Sequence, residues 1–135
     1  MKYVIITNNK LVNEYYLNEI NFKNLEKIIF METASFINVL EFARDSIHKG
    51  HKLLTHPLTG SVKPYETPFK SVVISSETTE MDFESLNIIE NSIEVTKKFL
   101  RDYKPRNLKE KHLKDFMIID KSLIDSGIES INQVY

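Results

Sequence analysis

The order of apolar patterns along the chain predicts a layered α/β fold, and three observations carry that expectation. Lys2 to Thr7 is an apolar, β-branched and aromatic run closed by Asn8-Asn9, as a strand buried on both faces should be. Phe36, Leu40, Ala43 and Ile47 recur at three- and four-residue spacing, which lays them on one helix face. Strand-like and helix-like segments then alternate, and alternation favours a mainly parallel sheet whose crossover helices cover both faces. The predicted architecture is a small Rossmann-like or flavodoxin-like domain with a sheet of four or five strands. One domain over residues 1–135 is expected, since that length suits a single core.

The first strand is expected at the centre of the sheet. Leu11, Tyr15 and Ile20 give a short helical stripe, and Ile28 to Met31, within Glu26 to Glu32, reads as the second strand. The helix at about 35–49 takes Ser35 as its N-cap, and Gly50 stands where a left-handed C-terminal cap is wanted. Lys52 to Thr55 and Lys70 to Ser75 read as two further strands. No periodic segment separates them, so that pair is either antiparallel or joined by an irregular crossover, and the sheet is then mixed. From Asp82 to Tyr103, the residues Phe83, Leu86, Ile89, Ile93 and Leu100 mark the longest helix, with Thr79 and Asp82 at capping-box spacing and Pro105 beyond its end. Phe116 to Ile119 fits a last strand before a terminal helix holding Leu123, Ile124, Ile128 and Ile131. It equally fits one helix through Phe116, Ile119 and Leu123, and periodicity leaves both open.

Composition excludes several function classes. With 41% hydrophobic and 27% charged residues and a net charge of -1, the chain is a globular protein and not a globally basic nucleic-acid binder. Its apolar runs, such as Phe116 to Ile119, fall far below the roughly 20 residues of a membrane-spanning helix. No signal peptide is legible after Lys2, so the cytoplasm is the expected compartment. The chain has no cysteine, hence no disulfide, thiolate ligand or thiol nucleophile. His48, His51 and His56 straddle a helix end, a turn and a strand without a supporting carboxylate motif, so no metal site is expected. No flavin or nicotinamide fingerprint is present either, and no cofactor is expected. The basic residues from Lys97 to Lys114 follow an acidic helix start, which matches the helix dipole and also offers a surface to an acidic partner.

The segment from His56 to Phe69 carries the functional interest, because it holds three of the four prolines and joins two strands without periodic structure. Its prolines and the apolar Leu58, Val62, Tyr65 and Phe69 indicate an ordered loop docked on the body. With a preceding strand parallel to the first, His56 emerges at the same carboxyl edge as Asn8 and Asn9, where open α/β sheets bind ligands. Thr59-Gly60-Ser61 and Lys63 supply hydroxyls, approachable amides and a cation, the groups that hold a phosphate or carboxylate. The candidate ligand-binding set is therefore Asn8, Asn9, His56, Thr59, Gly60, Ser61, Lys63, Glu66 and Thr67. His56 and Glu66 are the candidates for proton transfer, and Glu66 reads equally as an ion-pair partner for Lys63.

The block His48-Lys49-Gly50-His51 followed by His56-Pro57-Leu58-Thr59-Gly60-Ser61-Val62-Lys63-Pro64 and Glu66-Thr67-Pro68-Phe69 resembles the GrdX family. The opening Thr7-Asn8-Asn9 and the later Asp115-Phe116 and Asp120 add to the resemblance. It implies association with glycine, sarcosine or betaine reductase systems of amino-acid-fermenting anaerobes, and it brings no catalytic residues with it. The expectation is an accessory or regulatory protein that binds a small anionic metabolite or a partner segment at the Asn8/Asn9 and His56 to Thr67 edge, with a component of a glycine-reductase-type complex as a partner. The alternatives are a small enzyme acting on a phosphorylated or carboxylated metabolite and a protein-docking subunit. Nothing in the sequence fixes the oligomeric state.

Overall fold

The computed structural model describes residues 1–18, 22–59 and 61–134. Strands β1 (Tyr3–Thr7) and β2 (Leu25–Phe30) flank helix α1 (Lys10–Asn18); then come α2 (Phe36–His48), β3 (Ser71–Ser75), α3 (Phe83–Asp102) and α4 (Glu110–Val134). The sheet order is β2-β1-β3, so the first strand is central as its uniformly apolar run requires. β1 pairs parallel with β2, and antiparallel with β3 in the register Tyr3↔Ser75 to Thr7↔Ser71. Because successive side chains of β1 point to opposite faces, it feeds two cores. Val4 and Ile6 join Val72, Ile74, Leu40 and Ile89 under α2 and α3, while Tyr3 and Ile5 join Val73, Val12, Ile124 and Ile128 under α1 and α4.

Several expectations need correction. The sheet has three strands, not four or five, and one of its two pairings is antiparallel. β1, α1 and β2 form its one parallel unit, which leaves a mixed α/β layer in place of a doubly wound parallel sheet. Lys52 to Thr55 forms only the single antiparallel bridge Leu53↔Ile74. Neighbouring hydroxyls take two of the bonds a ladder would have made, Lys52 N donating to Ser75 Oγ and Val73 N to Thr55 Oγ1, and on the other side Leu53 N donates to Ser85 Oγ. Phe116 to Ile119 belongs to α4, whose inward stripe runs Asp120, Ile124, Ile128, Ile131. In α1 the buried positions are Val12 and Tyr16, one residue on from the expected Leu11 and Tyr15; Tyr15 instead carries the Lys121 ammonium 3.7 Å from its ring centroid. Ile20 lies outside the described residues. At the start of α3, Asp82 alone is the cap, accepting from Ser85 N, while Thr79 Oγ1 donates to Glu80 O.

Both ends of α2 follow the sequence signals. Ser35 Oγ accepts from Asn38 N and Asn38 Oδ1 accepts from Ser35 N, each at 3.2 Å, which closes a capping box. Replacing Ser35 with alanine is expected to cost about 1 kcal/mol, read as a lower urea midpoint at constant slope; an unchanged midpoint would show that the cap contributes nothing. Past the helix, Gly50 adopts φ +104 and donates to Ile47 O.

Candidate functional site

The antiparallel pairing of β3 with β1 brings the end of one strand against the start of the other, and α4 crosses above them. Four polar side chains meet there out of water: Thr7, Asn9, Ser71 and Asp120. Asp120 accepts from Ser71 N at 3.1 Å, from Ser71 Oγ at 2.7 Å and from Asn9 Nδ2 at 3.0 Å. Since the Ser71 hydroxyl donates to the carboxylate, the Thr7 hydroxyl donates to Ser71 Oγ at 2.7 Å. Thr7 Oγ1 in turn accepts from Asn9 N, and Asn9 Oδ1 accepts from Leu11 N at the start of α1. Every buried polar group of the cluster therefore has a partner, as burial at low dielectric demands.

Lys70 lies beside this cluster, 6% exposed. Its backbone N–H donates to Asn8 Oδ1, and its ammonium sits 5.5 Å from the Phe36 ring centroid. Burial holds its pKa below that of an ordinary lysine, against the pull of the Asp120 charge, which acts the other way. Among the described residues no carboxylate comes within 4 Å of that ammonium. Behind it a void of about 10 Å³ is walled by Phe36, Phe69 and Phe116. Lys70 and Asp120 line that void too, and with Ser71 they are the buried polar residues lining a cleft of about 470 Å³, whose aliphatic walls include Leu54, Leu58 and Ile131.

The candidates read from the sequence fall into separate surroundings. His56 and Thr59 line the same cleft. His56 is exposed, and its Nδ1 lies within hydrogen-bond distance of both Leu58 N and Leu58 O. Thr59 Oγ1 accepts from Ser61 N and lies 2.9 Å from Ser61 Oγ, so these hydroxyls fold the loop on itself. Gly60 lies outside the described residues. Asn8 and Asn9 are buried clamps: Asn8 Nδ2 donates to Ala34 O and Pro68 O, and Asn9 Nδ2 also donates to Met117 O. Lys63 turns away, its ammonium 5.7 Å from the Phe99 ring centroid. Glu66 accepts from Lys63 N and pairs with Arg106 at 3.4 Å, and Thr67 Oγ1 accepts from Phe69 N. Glu66 and Thr67 line a second, more apolar groove of about 270 Å³ between the loop and Leu100, Pro105 and Leu113. The two proton-transfer candidates thus face different clefts.

A family model described as GrdX-like protein matches residues 4–129, nearly the whole chain. The chain belongs to the GrdX-like family. No curated protein and no solved structure matches it. In this GrdX-like chain the residues that sequence reasoning passed over as a site are Lys70, Ser71 and Asp120. Two signals could have found them. A lysine stands directly before the buried strand Ser71–Ser75, and a carboxylate sits four residues before Ile124 on the inward stripe of α4. Among the described residues no group of three or more histidines and carboxylates is arranged to hold a metal ion, and no helix is long and apolar enough to cross a membrane.

Proposed function

We propose that this GrdX-like protein is an accessory or regulatory component of a glycine-reductase-type fermentation system, and that it senses a small anionic metabolite in the cleft lined by Lys70. Family membership supports the first half of that reading. The second half rests on one observation: a lysine 6% exposed, without an ion-pair partner among the described residues, lines a cleft of about 470 Å³. A buried charge is costly, the Asp120 charge offsets only part of that cost because Lys70 still holds its pKa below the ordinary value, and an anion entering the cleft adds to the compensation. His56 and Thr59 also line the cleft and add polar groups to its wall.

Thermal unfolding against phosphate, acetyl phosphate, acetate, glycine, betaine, sarcosine and nucleotides tests the reading. A ligand at about 100 times its Kd adds roughly 2.7 kcal/mol, a Tm rise of several degrees for a domain of this size. The Lys70→Met variant should lose the rise while the unliganded protein stays at least as stable, because it replaces a charge disfavoured by burial with an apolar chain of similar length. The pH dependence has a definite sign. Burial lowers the Lys70 pKa in the free protein and a bound anion raises it again, so binding takes up protons and affinity falls as pH rises through the lowered pKa. No rise with any anion, or an equal rise in Lys70→Met, would overturn the reading.

A further inference from the structure

The walls of the cleft say more about its ligand than the lysine alone does. Leu54, Leu58, Leu123, Ile124, Ile131 and Val134 contribute aliphatic side chains, so most of the surface a ligand meets in the cleft is hydrocarbon. Ser71 offers the ligand no free donor, since both its N–H and its hydroxyl are committed to Asp120. A phosphate dianion needs several converging donors and a second cation, and among the described residues lining the cleft Lys70 is the one lysine or arginine. A zwitterion with a short body needs a carboxylate for its cationic end. The carboxylate here is Asp120, 5% exposed and already accepting three hydrogen bonds. Asp120 also repels an anion, so the ligand's carboxylate must lie nearer the ammonium than the Asp120 carboxylate, since the Coulomb energy falls with distance.

We propose that the cleft recognises a small aliphatic monocarboxylate, its carboxylate against Lys70 and its hydrocarbon body along Leu54, Leu58, Leu123 and Ile131. The inference rests on the anion-binding reading above and narrows its ligand class. The volume of about 470 Å³ leaves room for a chain of several carbons, including a branched one. Each methylene moved from water onto such a wall tightens binding by about three- to fourfold. From acetate to valerate, three methylenes amount to roughly 50-fold.

Calorimetric titration of the full chain with acetate, propionate, butyrate, valerate and isovalerate, with inorganic phosphate and glycine as comparators, tests it. The wild type should show affinity rising by about that factor per methylene. Lys70→Met should bind none of the series, and Leu123→Asp, at a position 38% exposed where the fold tolerates a polar group, should weaken the longer acids most. A flat series, or tighter binding of phosphate or glycine with the dependence on Lys70 kept, would overturn the ligand class and leave the anion site standing. Absence of binding by every anion, or binding unchanged in Lys70→Met, would overturn both.

Discussion

Replacing Asp120 with alanine is expected to lower stability by about 3–5 kcal/mol, the range seen when a buried charged partner is removed from its network. Three donors lose their acceptor at once: Ser71 N, Ser71 Oγ and Asn9 Nδ2. Asn9 Nδ2 keeps Met117 O, but Ser71 N is left inside the sheet end with nothing in place of the carboxylate. Lys70 also loses the negative charge that favours its protonated form. In urea the midpoint should fall at an unchanged slope, and in heating the Tm should drop by roughly 10–20 °C. Asp120→Asn keeps an acceptor oxygen for Ser71 and should lose about half as much, as hydrogen bonds to a charged group weaken when the charge is removed. A loss below about 1 kcal/mol for alanine would mean that water reaches the cluster and satisfies its donors.

The second large effect concerns Gly50. Its φ of +104 lies where side chains are strained, and a Cβ there would stand 2.3 Å from Thr79 O and 3.2 Å from Thr79 N. The chain entering α3 is held against this residue by the bond from Thr79 N to Gly50 O, so it cannot give way without losing that bond. Backbone strain and overpacking together put Gly50→Ala at about 2–4 kcal/mol of lost stability. Gly50→Asn separates the two causes. Asparagine tolerates positive φ better than alanine but brings the same Cβ, so it should be no better than alanine if the contact with Thr79 dominates. A clear recovery in Gly50→Asn, measured by the same urea titration, would assign the cost to φ alone.

Much of the fold was legible where the signals are local. The apolar run of β1, the Ser35 cap, Gly50 and the stripe of α3 each depend on neighbours a few residues away, and each appears at its expected place. The strand count failed where non-local hydroxyls intervened. Ser75 and Ser85 lie more than 20 residues from Lys52 and Leu53, and nothing near those positions announces them. Phe116 to Ile119 was undecidable because four apolar residues suit either element; the helix is chosen by Asp120 and the isoleucines after it packing against β1 and β3. The loop from His56 to Phe69 showed its chemistry in the sequence, but many of its polar groups bond within the loop. The buried lysine and carboxylate are separated along the chain and meet only through tertiary packing, which spacing cannot reveal.

The bond between Asn9 and Asp120 joins positions 111 residues apart, and that between Thr7 and Ser71 joins positions 64 apart. Contacts of such span form against a large chain-closure entropy, so they come late when the polypeptide organises itself. During synthesis β1, α1, β2 and α2 emerge first, while the face of β1 carrying Tyr3 and Ile5 is covered on one side only, by α1, until α4 docks over the rest. The cleft exists only after that final docking. A ligand that binds at Lys70 as proposed above would therefore report a finished molecule.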